Sequence, residues 1–239
     1  MKRTYNPPPQ LCGAFLFVVF APSQHPPPGS GQAPPSRRRS RRRGGAGALQ
    51  RARPDPDMEA RGQQAAAGAG LRGELEARLR TLGISPLCVE HPEVFTVEEL
   101  MRHVGHLRGG HSKNLFLRDK KKKGLWLVTA LHDRQVNLND LGKKLGLGSG
   151  TLRFADEKAM QEKLKVGQGC ATPLALFCDT GGDVRLVLDA GFLDGGYDRV
   201  YFHPMTNAVT MGLTPEDFLR FVKSTGHDPL LIHFEDNGK

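Results

Sequence analysis

From residue 71 onward, apolar residues recur at helical or strand spacing; before it they do not. Leu71, Leu75, Leu79 and Leu82 fall four, four and three residues apart and predict an amphipathic helix closed by Gly83. A second helix is predicted from Thr96, where Thr96 and Glu99 form a capping box, through Leu100, Val104 and Leu107. NLFLRD (114–119) reads as a strand, and GLWLVTAL (124–131), apolar on both faces, as a central one. LGKKLGLGSG (141–150) reads as a short helix running into a glycine-rich turn. Residues 156–165 read as a helix capped by Asp156 and ended near Gly167. After the tight loop GCATP (169–173), the apolar run LALF is expected to enter a strand. VRLVLDA (184–190) and RVYFHP (199–204) are further strands. Thr214 and Pro215 open the helix PEDFLRFVKST, which Gly226 stops, and PLLIHFED (229–236) is a last strand. Helices and strands alternate irregularly, so one α/β (α+β) domain around a mixed sheet is expected over residues 71–237, long enough for its own core.

Residues 1–70 follow different rules. Proline runs, the block RRRSRRRGG (37–45) and little apolar periodicity predict a disordered tail, with EARGQQAAAGAG (59–70) as a linker. LCGAFLFVVFA (11–21) has the length of a signal-peptide core and is too short to span a bilayer. Three prolines just before it and the lack of a small-x-small cleavage site argue against secretion. The arginine block fits a nuclear-localisation or RNA-binding tail. The reading preferred is an extended upstream segment without a selected role, because nothing aromatic interleaves the arginines and Met58 would serve as a start.

Charge sharpens this division. Of 34 Lys and Arg and 25 Asp and Glu in the chain, residues 1–57 hold 10 basic and 2 acidic, leaving 24 and 23 for the rest. The folded part is thus nearly neutral, and any polyanion it binds must be held by a local patch. Cys12, Cys88, Cys170 and Cys178 form no CxxC pair, which favours a reduced, intracellular protein over a disulfide framework.

Candidate chemistry is scattered. His103, His106 and His111 lie close together, but no nearby carboxylate or thiolate completes a ligand set, so no metal is expected. GLGSG (146–150) matches neither dinucleotide nor Walker patterns and reads as a turn. Cys170 with His203 as base would make a nucleophile, yet an unpaired cysteine is more often a small apolar filler. In GCATP, backbone N–H groups on a tight loop can face a ligand carbonyl with no side chain in the way. FHPMTN (202–207) sets His203 at a strand end with Asn207 close behind.

In this order, KNLFLRD, WLVTAL, GCATPLAL, VRLVLD, FHPMTN and LTPEDFLRF resemble the YbaK/prolyl-tRNA synthetase-associated editing-domain family over residues 71–236. The likeness is strongest to free-standing alanyl-tRNA(Pro) deacylases. It implies a single compact domain with a mixed, barrel-like β-sheet and flanking helices. It also implies a cytoplasmic enzyme that hydrolyses the ester of mischarged tRNA(Pro), with no metal or other cofactor and no membrane contact. The partner implied is the acceptor end of that tRNA, with prolyl-tRNA synthetase as a further candidate. By position, the family's essential lysine falls on Lys113, its glycine loop on Gly169 to Pro173, and its histidine on His203. Catalytic roles are thereby expected for Lys113, Gly169 and His203, and substrate binding for Asn114, Cys170, Ala171, Thr172, Pro173 and Asn207. Cys170 and Ala171 depart from the Ser and Val common in relatives, and the long N-terminal tail has no counterpart there.

The residue types suit the task. A site built for proline cannot strongly exclude alanine, since one methylene discriminates by only roughly 10–200-fold. A second, smaller sieve admits alanine and excludes proline. An aminoacyl ester is already activated, so the site needs a positioned water and donors for the developing oxyanion, which the Gly169 loop would supply. Lys113 is expected at the terminal nucleotide. His203 acts as general base or as a positioning group. Two alternatives stay open: another small amino acid such as cysteine on the same tRNA, or a tRNA- or synthetase-binding module without hydrolysis. The lysine run at 120–123 is read as the exposed turn of a hairpin.

Overall fold

The computed structural model describes residues 70–119, 124–148, 150–167 and 169–234. The expectations for the tail, for the lysine run at 120–123 and for the end of the last strand lie outside the described residues.

The leucine spacing at the start yields a helix over residues 70–81 (α1), which buries Leu75 and Leu79 and ends at Gly83 with φ +68°. Helix α2 spans Val97–Val104. Thr96 accepts the Glu99 amide at 3.1 Å, while the Glu99 carboxylate reaches back to the Phe95 amide at 3.1 Å. This box ties down two orphan donors and is worth about 1 kcal/mol. The helix stops before Leu107, whose amide instead turns back onto the Val104 carbonyl.

Strand β2, Gly110–Asp119, is ten residues long and begins four residues before the predicted start. It pairs antiparallel with β3, Leu125–Leu131, from Ser112 opposite Leu131 to Arg118 opposite Leu125. Two short strands share its other edge. β6, Val200–Phe202, runs parallel to its start, and β4, Leu152–Phe154, runs antiparallel to its end. Beyond β3 lie β5, Val184–Asp189, and β8, Leu230–Ile232, both parallel additions. Beyond β6 lie β7, Val209–Leu213, and β1, Leu87–Glu90, both antiparallel. Among the described residues the order is β1-β7-β6-β2-β3-β5-β8 with β4 on β2, a single mixed sheet as expected. β1, β4 and β7 had no clear signal in the sequence. The first two are three or four residues long, too short for a periodic pattern, and β7 carries a glycine at its penultimate position.

The run LALF is not a strand. Pro173–Cys178 forms a 3-10 helix, with Thr172 capping the Leu174 amide at 3.2 Å and Pro173 in the first position. A short continuous apolar run fits a buried helix as well as a buried strand, and here the Thr-Pro cap decides the outcome.

One sheet face carries Phe116, Leu127, Leu186 and Phe202 into the main core, which is closed by α1, the 3-10 helix, α4 (Glu157–Leu164) and α5 (Pro215–Ser224). The other face buries Leu117, Trp126 and Val128 with Leu141 of α3 (Leu138–Lys144). Leu100 and Val104 of α2 form a third cluster with Val94.

Gly109 sets the entry to β2. A Cβ there would lie 2.3 Å from the Arg199 carbonyl oxygen, and its φ of +150° is one that side chains avoid. Gly109→Ala is expected to lower stability by about 2 kcal/mol or more. A urea titration should show a lower midpoint at unchanged slope; an unchanged midpoint would contradict this account of the β2–β6 contact.

Candidate active site

Lys113 lies on β2 opposite Ala130 and is half-buried. Its ammonium donates to the Arg134 carbonyl just beyond β3. That carbonyl is held in turn, because the Arg134 guanidinium pairs with Asp189 at 3.3 Å. Asp189, at the end of β5 and fully buried, also accepts the amides of Leu131 at 3.3 Å and Gly191 at 3.0 Å. Burial lowers the Lys113 pKa below the ordinary lysine value, while the charges of Asp133, Asp189 and Glu98 pull it back up. The lysine side chain is thus held in place by its neighbours.

His203 stands just past the end of β6. The parallel ladder pairs Gly110 with Val200 and His111 with Tyr201, whose rings stack at 4.7 Å. Lys113 lies two residues further along β2 than His111. His203 is 2 % exposed and its Nδ1 donates to the Val209 carbonyl at 3.4 Å. Burial drives its pKa down to about 4, so the ring is neutral at physiological pH. A small concavity under Leu100 of α2 is lined by His111, Ser112, His203 and Thr210.

Asn114, next to Lys113 in sequence, points to the opposite face, as alternation along a strand demands. It is 4 % exposed; its Oδ1 accepts the Thr129 hydroxyl at 2.8 Å and its Nδ2 has no partner among the described residues.

In the glycine loop, Gly169 has φ +81° and Cys170 and Ala171 are half-buried against the main core. Burial raises the Cys170 pKa to about 11, so its thiol stays protonated, and its other contact is with the Asn207 backbone. A protonated, enclosed thiol is a poor nucleophile. Thr172 and Pro173 are buried, and their visible work is to start the 3-10 helix.

Asn207 acts as a clamp. Its Nδ2 donates to the Val94 carbonyl at 3.1 Å, and its own carbonyl accepts the Val94 amide at 3.1 Å. The segment so held carries Phe95, whose ring lies 3.4 Å from where a Cβ on Gly169 would be. Gly169, Cys170, Asn207 and Phe95 therefore form one group, and Lys113 is grouped with Arg134 and Asp189. The start of α2 reaches toward both, with Phe95 beside the loop and Glu98 acting on the charge of Lys113. Arg134, Asp189 and Phe95 were missed in the sequence. The signal available for Asp189 was a carboxylate ending an otherwise apolar strand, VRLVLD.

The histidines of the sequence are spread out. His103 stacks on His91 at 5.9 Å, while His111 donates through Nε2 to the Leu107 carbonyl. Among the described residues no three His, Cys, Asp or Glu side chains are grouped to hold a metal. None of the described helices is long and apolar enough to cross a membrane.

Comparison with known proteins defines the class. Residues 91–221 match the aminoacyl-tRNA editing domain. The chain is 72 % identical over 171 residues to prolyl-tRNA synthetase associated domain-containing protein 1 of Bos taurus, covering 72 % of this chain and 99 % of that one. It is 34 % identical over 155 residues to the prolyl-tRNA editing protein ProX of Acetoanaerobium sticklandii, covering 63 % of this chain and 90 % of that one. A crystal structure described as a candidate trans-editing enzyme for prolyl tRNA synthetase superposes with a TM-score of 0.54 at 22 % identity, covering 72 % and 98 % of the two chains, and supports the fold. The chain belongs to the aminoacyl-tRNA editing domain family.

The depressed His203 pKa has a consequence for stability. The folded value, about 4, lies below the ordinary 6.5, so between these the unfolded chain binds a proton that the folded chain refuses. Stability is then full above pH 6.5 and falls by about 3 kcal/mol as the pH drops toward 4. His203→Asn should flatten that part of the pH profile in chemical denaturation; an equal slope in both proteins would contradict the assignment.

Proposed function

We propose that the protein is a trans-acting deacylase that hydrolyses Ala-tRNA(Pro) to alanine and free tRNA(Pro), working in the cytoplasm on tRNA released by prolyl-tRNA synthetase. The observation that carries the reading is the half-buried Lys113, tethered through the Arg134 carbonyl to Asp189, in a chain of the editing family. A cation held at one point recognises a phosphate or the ester-bearing ribose better than a mobile surface lysine does, because its ordering cost is met on folding.

The reaction needs no protein nucleophile. Water adds to the ester carbonyl, the carbonyl oxygen becomes an oxyanion, and the tetrahedral intermediate expels the ribose oxygen, which takes up a proton. The oxyanion is assigned to backbone N–H groups of the Gly169–Ala171 turn. Positive φ at Gly169 lets the main chain approach the carbonyl without a Cβ in the way. The Cys170 amide already donates to the Gly167 carbonyl at 3.1 Å, so the role passes to its neighbours, Gly169 and Ala171. His203, neutral and engaged with the Val209 carbonyl, is assigned to positioning.

The test is ester loss from Ala-tRNA(Pro), Cys-tRNA(Pro) and Pro-tRNA(Pro), followed side by side. Wild-type protein should clear the alanyl ester fastest and spare the prolyl ester. Lys113→Ala should lower kcat/KM by about 100-fold or more, a loss of about 3 kcal/mol of transition-state stabilisation. Faster loss of the cysteinyl ester would overturn the choice of alanine. Absence of all hydrolysis would leave a binding module.

A further inference from the structure

Phe95 is a large apolar side chain that is 46 % exposed, in a position where exposure is not an accident of a loose loop. Isolated apolar residues on a surface ordinarily mean nothing. This one is anchored on both sides. Its amide donates to the Glu99 carboxylate, and the residue before it is clamped in both directions by Asn207. One edge of its ring lies 3.4 Å from where a Cβ on Gly169 would be, beside the loop assigned to the reacting carbonyl. The rest of the ring remains open to solvent. The ring is not among the residues packed with the neighbouring Val94–Leu100–Val104 cluster.

We propose that Phe95 is a stacking platform for the terminal base of the tRNA acceptor strand, setting the ester over the Gly169 loop. The inference rests on the deacylase reading for the identity of the strand, and it adds the base to the ester and phosphate contacts already assigned. A terminal, unpaired base is free to stack on a fixed aromatic ring, and such stacking tolerates any base identity because each presents a π-face. Its worth is about 5- to 150-fold in affinity per base. A pinned backbone matters here because a free phenylalanine would spend part of that gain on its own ordering. The nearly neutral charge of the folded part also leaves base stacking a larger share of the binding than a strongly basic protein would need.

The test uses the full chain and an uncharged RNA acceptor hairpin with 2-aminopurine as its terminal base, whose fluorescence is quenched by stacking. Wild-type protein should quench the probe on binding. Phe95→Trp should keep the quench. Phe95→Leu keeps an apolar cover over Gly169 but has no π-face; it should lose the quench and weaken hairpin binding by about 5-fold or more, with an unchanged melting temperature. Equal quenching by wild type and Phe95→Leu would overturn the proposal and leave Phe95 as a cover for the loop. Wild type that deacylates Ala-tRNA(Pro) without quenching would overturn it as well, and would leave the deacylase reading intact. Quenching that depends on Phe95 in a protein without deacylase activity would support the platform and sink the deacylase reading alone.

Discussion

The pairing of β2 with β3 from Ser112 to Arg118 constrains the rest of the site. Seven consecutive paired positions leave no freedom in which way a side chain points, so Lys113 and Asn114 must leave opposite faces of the sheet. On one face Lys113 meets the Arg134 carbonyl and the field of Asp189. On the other Asn114 settles against Thr129 in the main core. A slip of one residue would bury the ammonium among leucines and expose the carboxamide. The short strands at the two ends of β2 serve the same purpose: β6 sets its start and β4 its finish.

A second set of contacts brings the loops to that strand. Asn207 was expected at the substrate, yet its carboxamide is occupied with Val94 and it works as a fastener. Through Val94 it fixes Phe95, and through its backbone it touches the Cys170 thiol. The HPMTN turn therefore organises the glycine loop and the start of α2 together. Met205, with φ +58° and a fully buried side chain, is the strained residue that lets this turn close.

Much of this was legible in the residues. Helix ends announced themselves through Thr96, Asp156 and Thr214, because capping is a local interaction between a side chain and an amide two or three positions away. The central place of β3 followed from its apolar residues on both faces. LALF was misread because a four-residue apolar run carries no period, and the deciding cap lay in Thr172, which the loop reading had already claimed. The support of Lys113 was invisible. Arg134 and Asp189 lie 21 and 76 positions away along the chain, and only the parallel pairing of β3 with β5 brings them together. Phe95 was passed over for the opposite reason: an aromatic beside a helix start looks like core until its exposure is known.

The central claim is that a mischarged acceptor end lies across the first turn of α2, its carbonyl at the Gly169 loop and its nucleotide at Lys113. A crystal structure with a non-hydrolysable alanyl-adenosine amide tests it directly. The account predicts the amide oxygen within hydrogen-bonding distance of the Gly169 or Ala171 amide, and the ribose or phosphate within reach of the Lys113 ammonium. The analogue lodged instead in the groove between Val184, Arg185, His227 and Leu230, on the far side of the sheet order, would contradict it.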